Sequence, residues 1–459
     1  MPVVDPVIYA RAQMGVSLAF HIVFAAAGVA LPLLMVIADV VHKPTGDAGY
    51  LLLSKRLAKG TGILFAVGAV SGTVLSFELG LLWPRFMGTF GEAIGLPFAL
   101  EGFAFFTEAI FLGIYLYGRD KVSPRLHLFS GVVVAVSGAA SAFFVTLVNA
   151  FMNGPPASPD PLAAMWSPAW PTQAVHVLVS SYQATSWAMV GISAAFLLRD
   201  PRRVLHRKAL AIALPVACLT AIVQPISGDR SAKHLATAQP LKLAAAEAHL
   251  RTGPNAALHI GGIPDLETGE FHGAIPVPGG LSFLAFGDTS AVVTGLEAFP
   301  RAEWPPVVGV RTAFQIMVGA GTTMALIAVA IVAWTARRRR LPDGRHWLLV
   351  LAVAGPLGFV SLEAGWLVTE WGRQPWIVRG VMRTADAVTP FPYRAAPFWL
   401  FTIVYLLLGV AVVYLLARQI AASEPSNGSQ PPAMGAGRQS PPSPDANADR
   451  SAPKAAHAD

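Results

Sequence analysis

Nine stretches of this chain stay apolar for long enough to cross a lipid bilayer: residues 14–41, 57–77, 96–117, 127–150, 175–198, 209–226, 310–336, 347–368 and 397–416. A spanning helix needs about 20 such residues, because backbone polar groups inside hydrocarbon must pair within the helix itself. The pattern predicts an all-α polytopic membrane protein with nine transmembrane helices. Two segments break it. Residues 227–306, between the sixth and seventh spans, are rich in Gly and Pro and carry a short helical run around 241–251. Connections of that length usually have a function of their own. Residues 421–459 are rich in Pro, Ser and Ala and predict a disordered tail. The chain therefore divides into helices 1–6 (1–226), a long outer loop (227–306), helices 7–9 (307–420) and the tail (421–459).

Composition agrees. Of 459 residues, 54% are hydrophobic and 13% charged, against about 25% charged in a soluble protein. The net charge of +7 is not a nucleic-acid face, because the basic residues cluster in alternate short connections. Lys43, Lys55, Arg56 and Lys59 follow span one; Arg119, Lys121 and Arg125 follow span three. Arg199, Arg202, Arg203, Arg207 and Lys208 follow span five; Arg337, Arg338, Arg339, Arg340 and Arg345 follow span seven. Positive connections face the cytoplasm, which puts the N-terminus in the periplasm, the C-terminus inside and residues 227–306 outside. The first apolar run is long enough to span, so no cleavable signal peptide is apparent. The single cysteine, Cys218, lies in an apolar run, which excludes an internal disulfide, a zinc finger or a cysteine-held cluster. One outer connection breaks the charge rule: Arg373, Arg379, Arg383 and Arg394 follow span eight. Arginines there suit bound anions, the carboxylates of a cofactor among them.

Ionisable side chains at membrane depth point to function. The candidates are His21, Glu101, Glu108, His176, Glu363 and Glu370, with Met317 as a soft ligand. Glu363 and Glu370 are seven residues apart and share a helix face, as do Glu101 and Glu108, about 10 Å apart along the axis. The topology brings His21, Glu101, His176, Met317 and Glu370 into one outer layer. Singly, each has an ordinary reading: a packing histidine, a core methionine, an interfacial carboxylate. Together with the displaced arginines they form the donor layer that several hemes at one depth would need.

Specific motifs sharpen this reading. ALEGFAFFTE at 99–108, LKLAAAEA at 241–248, FQIMVGAG at 314–321, EAGW at 363–366 and GRQPW at 372–376 resemble subunit I of the cytochrome bd family of quinol oxidases, over essentially all nine spans and the loop. The resemblance implies that His176 and Met317 are the axial pair of a low-spin heme b. It implies that His21 and Glu370 ligate a high-spin heme b and an oxygen-binding heme d, and leaves open which takes which. Glu101 matches a carboxylate at the heme d pocket, and Glu108 one that delivers protons. Lys242 and Glu247 match the quinol-binding part of the loop, Trp366 an aromatic between hemes, and Arg373 a residue near heme propionates. Glu363, on the face of Glu370, would hydrogen-bond within the site or carry protons. The implied activity is oxidation of quinol at the outer face and reduction of O2 to water, with a membrane potential generated. It would take place in the bacterial inner membrane, beside a homologous subunit II and possible small single-span subunits. The loop is of the short type, and Gln315 stands where some members have Arg; both features resemble the cyanide-insensitive branch. Two other readings compete. A secondary transporter predicts inverted repeats, and none is found. A diheme b electron-transfer subunit predicts paired histidines, whereas here His is paired with Met.

The charge pattern makes a direct prediction. A reporter active only in the periplasm, fused at Asp459, should be silent in cells; robust reporter activity would overturn the topology.

Overall fold

The structure, a computed structural model, describes residues 6–157, 160–389 and 395–421. The expected tail and Arg394 lie outside the described residues. The helices are α1 (Pro6–Thr45), α2 (Ala48–Leu82), α3 (Pro84–Tyr117), α4 (Pro124–Asn153), α5 (Pro161–Met165), α6 (Trp170–Arg199), α7 (Val204–Ala238), α8 (Pro240–Glu247), α9 (Gly280–Phe286), α10 (Val307–Arg338), α11 (Arg345–Ala354), α12 (Leu357–Trp371), α13 (Thr384–Ala387) and α14 (Ala395–Ala421). Among the described residues, eight helical runs are long and apolar enough to cross a membrane. They are α1, α2, α3, α4, α7, α10, α14 and the joined run of α11 and α12 over Arg345–Trp371.

The expected fifth span is also helical, as α6, but it lacks the apolarity of the other eight. It carries Gln173, His176, Ser180, Ser181, Gln183, Thr185, Ser186 and Ser193. The reason is its position. α6 packs on α1, α4, α7, α11 and α12, and its Ser181, Gln183, Thr185, Ser186 and Ser193 are buried together with Trp187, Val190 and Ala194. A helix enclosed by other helices need not show lipid an apolar face, and polar and small residues favour its packing. The approach is close: a Cβ on Gly191 would stand 2.5 Å from the Gly355 Cα, and one on Gly358 would stand 2.5 Å from the Ala184 Cα. Around this seam Trp187, Leu214, Met324 and Leu351 form the main core.

Two boundaries differ from the sequence expectation. α7 does not stop at 226 but runs to Ala238. The added turns are polar, so a hydropathy window cannot see them. They hold Lys233 and Asp229 as an i,i+4 pair at 2.7 Å, which favours helix over loop. The short run expected at 241–251 is α8, ended by Ala248 in a left-handed conformation (φ 49°). The all-α expectation holds for the bundle and fails in its connections. There β1 (Leu258–Ile260) pairs antiparallel with β4 (Ile275–Val277), and β2 (Ile263–Pro264) with β3 (Phe271–His272). After α12, β5 (Trp376–Val378) pairs with β6 (Met382–Arg383).

The end of the bundle that holds the α1–α2 turn is tied by one polar cluster. Arg119 Nη1 lies 3.2 Å from the buried Asp39 carboxylate, which also accepts from the Tyr115 hydroxyl. Arg119 Nη2 donates to Ser54 Oγ at 2.9 Å. The cluster joins α1, α2 and the end of α3.

The α6 seam can be tested directly. Gly191→Leu forces side-chain atoms into the Gly355 backbone, and overpacking of this kind typically costs about 1–3 kcal/mol. The melting temperature of the detergent-solubilised protein should fall; an unchanged value would show that the seam opens freely.

Candidate functional site

The bundle encloses a cavity of about 1820 Å³ whose wall draws on α1, α2, α3, α4, α6, α7, α8, α10 and α12. Pockets for a single small ligand commonly run about 300–1,000 Å³, so this space is sized for more than one large group. Its wall carries His21, Glu101, Glu108, His176, Lys242, Glu247, Met317, Trp366, Glu370 and Arg373. Glu363 is the one expected site residue that is not in the wall. At its level α12 offers the cavity Ser361, Leu362 and Gly365, a neighbouring stripe of the helix. The Oε1 of Glu363 is buried without a hydrogen-bond partner in the described structure.

Both histidines are held in a way that defines a free nitrogen. Ser71 Oγ lies 2.9 Å from His21 Nδ1, and the serine's own proton goes to the Val67 carbonyl at 2.9 Å. The serine oxygen must therefore accept from Nδ1–H, which leaves Nε2 with its lone pair. His176 repeats the arrangement: Nδ1 lies 2.9 Å from Ser227 Oγ, whose proton goes to the Gln224 carbonyl at 2.9 Å. The Gln224 amide nitrogen stands 3.1 Å from His176 Nε2 and 3.3 Å from Nδ1, so it lies over the ring and leaves the Nε2 lone pair in the ring plane open. A neutral imidazole fixed through Nδ1 is the usual state of a metal-ligating histidine. Met317 on α10 rests against α12 without a side chain between them, since a Cβ on Gly365 would come within 2.9 Å of its Sδ.

Glu370, near the C-terminal end of α12, accepts from Arg373 Nη2 at 2.6 Å. Arg373 is itself buried and also donates through Nη1 to Asn149 Oδ1 at 3.2 Å. On α3, Glu101 accepts from Ser141 at 3.1 Å. Glu108, one heptad along, is buried against Gly138 of α4, where a Cβ would meet its carboxylate at 3.3 Å.

Lys242 and Glu247 reach the same cavity from α8, although five residues of ideal helix would turn them to different faces. Both are 5% exposed. Lys242 Nζ donates to Asn153 Oδ1 at 2.9 Å and to the Thr369 carbonyl at 3.1 Å. Burial pushes its pKa down to about 7, the Arg373 guanidinium adds to that shift and Glu370 opposes it. Burial lifts the Glu247 carboxyl to about 7 against the opposing charge of Arg311, whose Nη1 lies 3.7 Å from Glu247 Oε2.

Arg311 is the main residue that the sequence reading did not single out. It is 2% exposed and donates to the carbonyls of Glu247 (2.8 Å), His259 (2.9 Å) and Gly261 (2.8 Å). Its guanidinium lies 4.6 Å from the Phe271 ring centroid. One turn on, Gln315 accepts from the Gly261 N–H at 3.0 Å. Arg311 stands three residues before the FQIMVGAG stretch in an apolar helix, which was a usable signal. Asn149, Asn153 and Gln224 were also missed; the two asparagines sit four apart on one helix face. Glu78 was missed because the apolar run was ended at 77. It is buried on α2, and Gln13 donates to it at 2.7 Å. Of the four arginines expected to meet anions, only Arg373 is in the cavity wall among the described residues; Arg11, not foreseen, joins it. Arg379 donates to the Ala238 carbonyl at 2.5 Å, and Arg383 lies over the Trp376 ring.

An iron ion carried by a macrocycle asks the protein for one or two axial atoms, an apolar slot and cations for its carboxylates. The wall supplies imidazole, thioether and carboxylate donors on separate helices. It adds Arg373, whose Nε is buried without a hydrogen-bond partner in the described structure. No group of three or more His, Cys, Asp and Glu able to hold a metal ion occurs among the described residues. The donor set fits hemes, each needing only axial ligation.

The family model of cytochrome bd terminal oxidase subunit I matches residues 9–424. A Bacillus subtilis (strain 168) protein described as a cytochrome bd menaquinol oxidase subunit I is 37% identical over 428 residues, covering 90% of this chain and 96% of its own length. The cytochrome bd ubiquinol oxidase subunit 1 of the same organism is 29% identical over 437 residues, covering 90% of this chain and 93% of its own. Among solved structures, the bd oxidase from Geobacillus thermodenitrificans superposes with a TM-score of 0.85 at 39% identity, covering 91% of this chain and 99% of that one.

Arg311 offers a test of how the cavity mouth is held. Arg311→Leu removes three backbone anchors and leaves Glu247 without its counter-charge, and breaking a buried pair this way costs about 3–5 kcal/mol. Amide deuterium exchange should rise over residues 258–264 while α4 stays protected; unchanged exchange there would mean that the segment holds itself.

Proposed function

The chain belongs to the cytochrome bd terminal oxidase subunit I family, and on that premise we propose how its own residues serve a quinol:oxygen oxidoreductase. Membership sets aside the secondary transporter and the diheme b electron-transfer subunit. The observation that carries the reading is a single cavity whose wall holds the loop residues Lys242 and Glu247 together with His21, His176, Met317 and Glu370.

Nine helical spans cross the bacterial cytoplasmic membrane, α6 counting as the fifth because its polar side chains turn to the interior. The N-terminus is periplasmic and the C-terminus cytoplasmic, which puts α8 and the β1–β4 segment outside. Quinol binds there against α8. The Oε2 of Glu247 has no hydrogen-bond partner in the described structure, and a carboxylate titrating near neutrality can accept the quinol hydroxyl proton and release it outward. His176 and Met317 hold a low-spin heme b; His21 and Glu370 hold the high-spin heme b and heme d. When bound, such hemes would supply one-electron transfer and the reduction of O2. Ser71 and Ser227 keep the imidazoles in the ligating tautomer. Arg373 and Arg11 balance carboxylate charge in the wall. Glu108 and Glu101, one heptad apart on α3, pass protons from the cytoplasmic side, and Ser141 holds the Glu101 carboxylate. Protons released outside and taken up inside separate charge, at about 2.3 kcal/mol per charge per 100 mV. Exposed apolar residues such as Phe103, Phe106 and Ile110 on α3 face lipid, the homologous subunit II or small single-span subunits.

Met317→Leu keeps apolar volume and removes the sulfur. The reduced-minus-oxidised spectrum of the purified complex should lose its low-spin component, and quinol oxidation should stop. Retention of both would remove Met317 from the site.

A further inference from the structure

The buried polar groups between α4, α8 and α12 form one continuous hydrogen-bonded chain. Lys242 Nζ donates to Asn153 Oδ1 at 2.9 Å. The Asn153 amide donates to Asn149, at 2.9 Å to its carbonyl and 3.2 Å to its Oδ1. Asn149 Oδ1 also accepts from Arg373 Nη1 at 3.2 Å, and Arg373 Nη2 donates to Glu370 at 2.6 Å. The Asn149 amide is taken up by Gln173 on α6 at 2.9 Å. Each asparagine is thereby fixed in orientation: Asn153 can accept from the ammonium only with its oxygen turned to α8, and Asn149 can accept from Arg373 only with its amide turned to Gln173.

This arrangement gives Lys242 a second task. Its stem presses on the turn after α12, where a Cβ on Gly372 would fall 2.9 Å from Lys242 Cε. Its ammonium caps the Thr369 carbonyl at 3.1 Å, the peptide next to Glu370. A side chain that served quinol alone would leave its donors free at the cavity; two of them are committed to α4 and α12 instead. Resting on the heme-ligand reading above, we propose that Lys242, Asn153 and Asn149 are positioning residues that hold Arg373 and, through it, the Glu370 carboxylate, so that loop helix α8 sets the geometry of the iron ligand on α12. The seating of α8 and the environment of the heme at Glu370 are then one variable.

The test uses the purified full complex, with reduced-minus-oxidised spectra and spectroelectrochemical titration. The variants are Lys242→Met, Asn153→Leu, Asn149→Leu and the Lys242→Met/Asn153→Leu double; Asn153→Ser replaces Asn153→Leu if that protein does not accumulate. Each single variant should shift the band and midpoint potential of the heme at Glu370 and leave those of the His176/Met317 heme in place. The double variant should shift no further than the larger single one, because both break the same chain. Wild-type bands and potentials in all three single variants, with only the KM for quinol raised in Lys242→Met, would overturn the proposal, as would additive shifts in the double. Glu370→Gln separates the two layers of the argument. If it leaves every heme band unchanged, the ligand assignment fails and takes the proposal with it; if it changes the band while the network variants do not, the proposal alone fails.

Discussion

Removing a charge from water is the constraint on which this architecture turns. A carboxylate inside an apolar bundle costs several kcal/mol unless something of opposite sign or a set of donors meets it. Glu370 is met by Arg373, Arg373 by Asn149, Asn149 by Asn153 and Gln173, and Asn153 by Lys242. Each partner needs the next, so the solution spreads over α4, α6, α8 and α12 and fixes where those helices stand. The cavity keeps its shape because its polar wall is braced from behind.

The same constraint explains the composition of α6. It is less apolar than the eight other long helical runs, and it is packed on five neighbours. It holds His176 and Gln173 at the cavity and closes on α11 and α12 through Gly191, Gly355 and Gly358. Small residues on both sides bring the backbones together, and the polar side chains find partners in protein rather than lipid. Apolarity is demanded only of surfaces that meet hydrocarbon.

What could be read in advance follows from this. His21, His176, Met317 and Glu370 stand out as polar or soft residues in apolar runs, and all four line the cavity. The motif around Gly372 added Arg373. Other features were hidden for identifiable reasons. The last turns of α7 are polar, so hydropathy ends before the helix does. Arg311 looked like one more flank of a span, because its three acceptors are carbonyls that leave no trace in side-chain sequence. Asn149 and Asn153 are uncharged and did not register as ionisable groups at depth. Glu363 was placed by periodicity, which gives the face of a helix but not the width of the opening beside it. The hairpins of the loop are two or three residues long, too short for any alternation to show.

Arg311 grips the segment over the cavity mouth by main-chain oxygens alone, apart from its distant pairing with Glu247 and its place over Phe271. Such a clasp reads the path of the backbone and is indifferent to the residues strung along it. The clasp itself therefore tolerates exchange at 259, so long as the two carbonyls of the segment arrive at the same points, whereas position 261 at φ +70° keeps its own demand for glycine.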